Sequence, residues 1–286
     1  MSLNQDLRQK LKTLNVFEQL IVVNLLVFII AQILRFTLNT GSSLNWFELP
    51  SEFTSFIQQP WSIVTYAFVH YDFFHVLFNM LWLYIIGRFF VNLFNMKLGL
   101  NVYFLGAISG ATLFLLGYNL LPQVFDSGHR LVGASAAVRA LLIFVCAYMP
   151  NMDLRVFTFN IKLKHIGYVV IVLDIIGLFG SNSGGNLAHL GGAILGYAYG
   201  LQLKNGKDIG KGFERFMDAL SGLFTAKRSP LKTVHKKKSK VAGYSKNEFK
   251  EFNNQKQVDI ILDKISKSGY DSLTKAEKEF LFRAGK

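Results

Sequence analysis

Six stretches of the chain are apolar on every helical face. They run over about residues 18–37, 68–94, 98–121, 133–149, 165–180 and 187–203, with polar or charged residues between them. A helix with no polar side has to be surrounded by protein or by lipid. At ~1.5 Å rise per residue, stretches of this length match the ~30 Å hydrocarbon core of a bilayer. The pattern predicts six helices, most of which cross a membrane. Beyond the sixth stretch the pattern changes. Residues 204–247 read as a linker. After it, Ile260, Ile261 and Ile265 recur at helical spacing, Gly269 can end that helix, and Ser272 with Lys275 to Phe282 reads as a second one. The predicted divisions are a polar segment at 1–16, a six-helix domain at 17–203, a basic linker at 204–247 and a small helical module at 248–286. Below ~40 residues such a module rarely folds alone.

Composition agrees with the membrane reading. Of 286 residues, 51% are hydrophobic, only 17% are charged, and 27 are Phe. Soluble domains rarely show that balance. Residues 1–16 are polar and basic, and the first stretch is long enough to stay as a span rather than act as a cleaved signal. Cys146 is the single cysteine, so no intrachain disulfide forms, and it reads as a small buried hydrophobe.

Charge sets the orientation. The net charge is +13, and residues 201–286 hold 20 Lys and Arg against 10 Asp and Glu, so most of the excess lies in the tail. Arg8, Lys10 and Lys12 precede the first stretch. Residues 38–66 hold no Lys or Arg. Arg88 and Lys97 flank the second turn, Arg155, Lys162 and Lys164 the fourth, and residues 181–186 are uncharged. The alternation places both termini in the cytoplasm. A basic tail there, with Lys236–Lys238 as a charge run, implies anionic inner-leaflet lipid as its partner and no nucleic acid. The loop at 38–66 carries Trp46, Phe47, Phe53, Phe56 and Trp61, which suit an outer-leaflet position.

Candidate chemistry sits at one depth. Ser135 heads the fourth stretch and lies 15 positions before Pro150. His189 heads the sixth and lies 15 positions before Lys204. Each is therefore ~22 Å from the cytoplasmic end of its helix, several ångströms below the outer face. Ionisable groups at such depth are rarely there for packing alone. His70, His75 and Asn79 lie at the outer end of the second stretch, with His75 and Asn79 at i and i+4 on one helix face. Donors so placed suit a developing oxyanion, Ser135 at a helix N-terminus adds a free backbone N–H, and His189 suits a general base. Gly192, Gly196 and Gly200, facing the slim run Gly133-Ala134-Ser135-Ala136-Ala137, would let the fourth and sixth helices approach closely. No carboxylate or thiolate stands at ligand spacing to the histidines, so neither a metal nor a cofactor is expected. Arg139 and Asp174 are charges inside apolar stretches. They read as an ion pair, or as a snorkelling Arg139, with action of Arg139 on His189 as the other reading.

These residues resemble the rhomboid family of intramembrane serine proteases. The pattern is a His-xxx-Asn, a Gly-x-Ser and an Ala-His-xx-Gly-xxx-Gly. Here they read His75-Val-Leu-Phe-Asn79, Gly133-Ala-Ser135 and Ala188-His189-Leu-Gly-Gly192-Ala-Ile-Leu-Gly196. The resemblance covers about residues 15–203. It implies an all-α, six-transmembrane-helix bundle that cleaves peptide bonds in or near transmembrane segments of other membrane proteins. Ser135 would be the nucleophile and His189 the base, a dyad with no acidic third member. Asn79, His75 and Ser135 would form the oxyanion hole, with His70, Gly133, Gly192, Gly196 and Arg139 in support. The tail resembles a short module on some bacterial rhomboids, which implies a bacterial inner membrane. The chain departs from the family at Ala136, where glycine is usual, and at Arg139, where an aromatic is common. Ser62 replaces the common arginine after Trp61, and Val91-Asn92-Leu93 replaces Glu-x-Arg. A catalytically inactive, client-binding relative is the competing reading. A transporter is a third, although the polar cluster lies toward one face rather than at the midplane.

Overall fold

The computed structural model describes residues 13–125, 128–156, 158–224 and 246–284. The chain divides into two compact units, 1–224 and 225–286. All six apolar stretches are helices: α1 (Val16–Leu38), α4 (Phe73–Leu93), α5 (Met96–Leu120), α6 (Ser135–Tyr148), α7 (Leu163–Gly177) and α8 (Ser183–Lys204). Two short helices, α2 (Phe53–Gln58) and α3 (Ser62–Thr65), lie between α1 and α4. Among the described residues three helices, α1, α4 and α5, are long and apolar enough to cross a membrane by length and composition.

Helix starts follow local chemistry. Asn15 caps α1, accepting from the N–H groups of Phe17 and Glu18, while Glu18 accepts from the Asn15 N–H at 2.8 Å. Asp72 caps α4 by accepting the His75 N–H at 2.7 Å. Asn95 caps α5 in the same way through Leu98.

α6 is the hub. From Ala136 to Ala147 every residue except Arg139 is buried, so this helix is surrounded by protein. Its 14 residues span about 21 Å, less than a bilayer core. The outer helices show the reverse pattern. Leu26, Ile30 and Ile33 of α1, Phe74 and Phe78 of α4, and Val169, Leu173 and Ile176 of α7 are all exposed. In water such patches would aggregate, whereas in lipid they are ordinary. The molecule is a membrane protein.

The packing around α6 depends on absent side chains. A Cβ on Gly192 would collide with the Ala136 carbonyl oxygen, one on Gly196 with that of Ala140, and one on Gly200 would come within 2.7 Å of that of Phe144. The three pairs share a single offset of 56 residues, so α6 and α8 run parallel and in register. Gly106 and Gly110 of α5 make the matching approach to Ala140 and Ala136 in reverse order, which makes α5 antiparallel to α6.

Two small ribbons were not evident in the sequence pattern. β1 (Leu49–Pro50) pairs antiparallel with β2 (Arg130–Leu131), tying the loop after α1 to the segment before Ser135. β3 (Asp153–Val156) and β4 (Phe159–Lys162) form a hairpin between α6 and α7. The aromatic loop is a folded structure. Trp61 Nε1 donates to the Trp46 carbonyl at 2.7 Å and the two rings stack. The Tyr71 hydroxyl donates to buried Glu48 and accepts from the N–H groups of Ser43 and Leu44. Burial, and then this bond to Glu48, push the Tyr71 hydroxyl up from its ordinary pKa.

Within the stretch read as a linker, Lys211–Phe224 forms helix α9. The Lys236–Lys238 run lies outside the described residues. In the second unit, α10 (Lys246–Ser268) begins earlier than the isoleucine spacing suggests and ends at Gly269, whose φ is 77°. α11 (Lys275–Ala284) is capped by Thr274 with Glu277, and Lys264 pairs with Glu277 at 3.0 Å.

Candidate active site

The fold brings the predicted residues to one place. A cavity of about 630 Å³ is lined by His75 and Asn79 from α4, Ser135 and Arg139 from α6, and His189 from α8. The common register of α6 and α8 sets His189 level with Gly133–Ser135. Ser181 and Asn182 before α8, and Ser183 at its start, line the same cavity with Asp72 and Arg130. These groups give water a polar surface to follow toward the serine.

The approach to Ser135 is held from both sides. Gly133 has φ of 110°, a conformation that glycine adopts without cost, and its N–H donates to the Tyr66 carbonyl at 2.9 Å. A Cβ at Gly133 would come to 2.6 Å of the His75 ring. The Ala134 N–H donates to His70 Nε2 at 3.2 Å. His70 is fully buried, and its ring meets that of His75 edge to face at 5.0 Å. His70 therefore contacts the turn that precedes Ser135. Asn79 Nδ2 donates to the His75 carbonyl at 3.0 Å and lies 3.4 Å from His70 Nε2. An amide carries two N–H donors, so Asn79 can turn one toward the cavity.

Ser135 is the first residue of α6, and backbone N–H groups in the first turn of a helix have no intrahelical acceptor. Ser135, Asn79 and His75 line the cavity together, and each carries an N–H group able to donate. Among the described residues no hydrogen bond joins Ser135 to His189. Such bonds are often long in the absence of substrate and tighten with it.

His189 has an acidic neighbour that the sequence reading did not assign to it: Asp174 Oδ1, on α7, lies 2.9 Å from His189 Nδ1. The same oxygen accepts from Arg139 at 2.8 Å, and Arg139 lies 3.3 Å from His189 Nδ1. The expected ion pair between Arg139 and Asp174 exists, and the histidine is part of it. Asp174 is 2% exposed. Sequence reasoning found the pair and held an action of Arg139 on His189 as its other reading, but did not bring Asp174 to the histidine. The available signal was that a lone carboxylate in one apolar stretch and a lone guanidinium in another need a common polar neighbour.

Residues 58–205 match a protein family described as the Rhomboid domain, about half of the chain. Residues 246–284 match a family of unknown function, DUF6576. Among curated proteins, the chain is 26% identical over 158 residues to the "RHOMBOID-like protein 12, mitochondrial" of Arabidopsis thaliana. The aligned region is 51% of this chain and 47% of that protein, so the chain spans about half the length of this relative.

Proposed function

The chain belongs to the rhomboid family, and from that premise we propose that it is an intramembrane serine endopeptidase acting on transmembrane segments of other membrane proteins. The observation that carries this reading is the placement of Ser135 and His189 at one level of two parallel helices, in one cavity with His75 and Asn79. In the proposed reaction Ser135 Oγ attacks the scissile carbonyl carbon and His189 Nε2 takes its proton. The negative oxygen that forms is held by the Ser135 N–H, the Asn79 amide and His75, and each such donor is worth ~2.7–4 kcal/mol. The tetrahedral intermediate collapses as His189 returns the proton to the leaving amine. Water, entering along the polar wall, then hydrolyses the acyl-enzyme. Substrates would carry small or helix-breaking residues at the cut, since an intact helix hides its carbonyls.

The same reading takes α1 and α4–α8 as six spans, with both termini in the cytoplasm of a bacterial inner membrane and the basic tail near anionic lipid. The short α6 then starts below the outer surface, which is where a site shielded by lipid but reached by water has to lie.

The test is labelling of detergent-purified protein with a fluorophosphonate probe. Wild type should label, and Ser135→Ala and His189→Ala should not. A folded wild type that stays unlabelled would instead support a client-binding protein without protease activity.

A further inference from the structure

Asp174 and Arg139 form an arrangement that a two-residue mechanism does not need. Both sit in the membrane domain, on different helices, and both reach His189 Nδ1. A buried ion pair costs desolvation and is kept where it does something besides packing. Resting on the protease reading above, we propose that Asp174 is a positioning residue that fixes the ring orientation and proton placement of His189, with Arg139 as its counter-charge.

The chemistry of the contacts assigns the proton. A carboxylate only accepts hydrogen bonds, so Asp174 Oδ1 at 2.9 Å requires a proton on His189 Nδ1. A bare Nδ1 would set two lone pairs against each other at that distance. With the proton on Nδ1, the lone pair is on Nε2, the nitrogen a serine proton must reach. Arg139 opposes this arrangement. Its N–H at 3.3 Å favours a bare Nδ1, which would place the proton on Nε2 and block base catalysis. The shorter contact to Asp174 prevails because Arg139 is itself engaged by the same carboxylate oxygen at 2.8 Å. Asp174 thus both selects the useful tautomer and occupies the guanidinium that would reverse it. When His189 takes the serine proton, the carboxylate also lies against the new positive charge.

Two variants test this, measured by cleavage of a transmembrane substrate in detergent. In Asp174→Ala, Arg139 is the only partner left to Nδ1, and kcat should fall by ~100-fold or more with little change in KM. Because that variant strands a buried charge, Asp174→Ala with Arg139→Leu is measured beside it. The double variant should be faster than Asp174→Ala and slower than wild type. Wild-type kcat in either variant, or a folded double variant no faster than the single one, overturns the proposal. The proton itself can be read in Ser135→Ala protein carrying 15N-histidine, with His189 assigned by its loss in a His189→Gln partner. Nδ1 should show an N–H signature and Nε2 a lone-pair signature, and the reverse pattern also overturns the proposal. Cleavage that survives Ser135→Ala, or a wild type that never cuts, would instead sink the protease reading while leaving the tautomer measurement intact.

Discussion

The residue that most constrains the site carries no side chain. Gly133 combines a φ of 110° with a neighbour, the His75 ring, that a Cβ would meet at 2.6 Å. Alanine there would pay twice, in backbone strain of ~1–3 kcal/mol and in a displaced His75. Gly133→Ala should lower the melting temperature in detergent and also slow fluorophosphonate labelling. A variant that labels at the wild-type rate would show that His75 tolerates the shift. At this scale the sequence anticipated which residues would meet: Ser135, His189, His75 and Asn79, each a polar residue at the end of an apolar run, line one cavity. Asp174 was legible as the ion-pair partner of Arg139, but not as a neighbour of His189. Its contact crosses from α7 to α8 over 15 residues, and no local pattern records which way a side chain points from a helix whose remaining surface faces lipid.

Between elements, the critical dimension is the separation of α6 and α8. A Cβ at Gly196 would overlap the Ala140 carbonyl oxygen, which belongs to the backbone and cannot swing aside. Gly196→Ala must therefore part the two helices, at ~1–3 kcal/mol for the overpacking. His189 moves with α8 while Ser135 stays with α6. A misplacement of ~1 Å between reacting groups can cost ~100-fold in rate, so kcat should drop by about that much. Gly212→Ala on α9 is the control, since nothing lies within 4 Å of its Cβ position. If both alanine variants cut equally well, the close approach is not what aligns the site. The glycine spacing predicted this contact directly, because membrane helices pack through small residues. The other elements were legible to different degrees. All six apolar helices were clear from their hydrophobic runs. The ribbons were not, since β1 and β2 are two residues each and contain no alternation to detect. α9 was legible but missed: Phe213, Phe216, Met217 and Leu220 recur at helical spacing, while Lys211, Glu214, Arg215 and Asp218 on the other face make the segment look like a linker.

For the whole molecule, the site and the charges have to agree about sidedness. Parallel α6 and α8 put Ser135 and His189 toward the end of the bundle that also carries the β1–β2 ribbon and residues 181–183. The opposite end carries Arg155, Lys162, Lys164 and Lys204. Positive residues stay in the cytoplasm, so the end that holds the candidate site should face outward and Asn205 inward. Cys146 is the single cysteine and is buried, so Cys146→Ser gives a silent background for mapping. In intact cells a membrane-impermeant maleimide should label cysteines placed at Gly41 and Gly180 and miss one at Asn205 until the cells are lysed. The opposite pattern would place the cavity on the cytoplasmic side. Substrates would then have to present their cleavage segment from the cytoplasm, and water would have to reach Ser135 from there. A mixed pattern, with Gly41 and Gly180 on different sides, would mean an odd number of crossings between them, contrary to the four helices α4 to α7 all spanning. The measurement thus tests together the orientation, which follows from the distribution of Lys and Arg, and the parity of the crossings, which follows from the apolar runs.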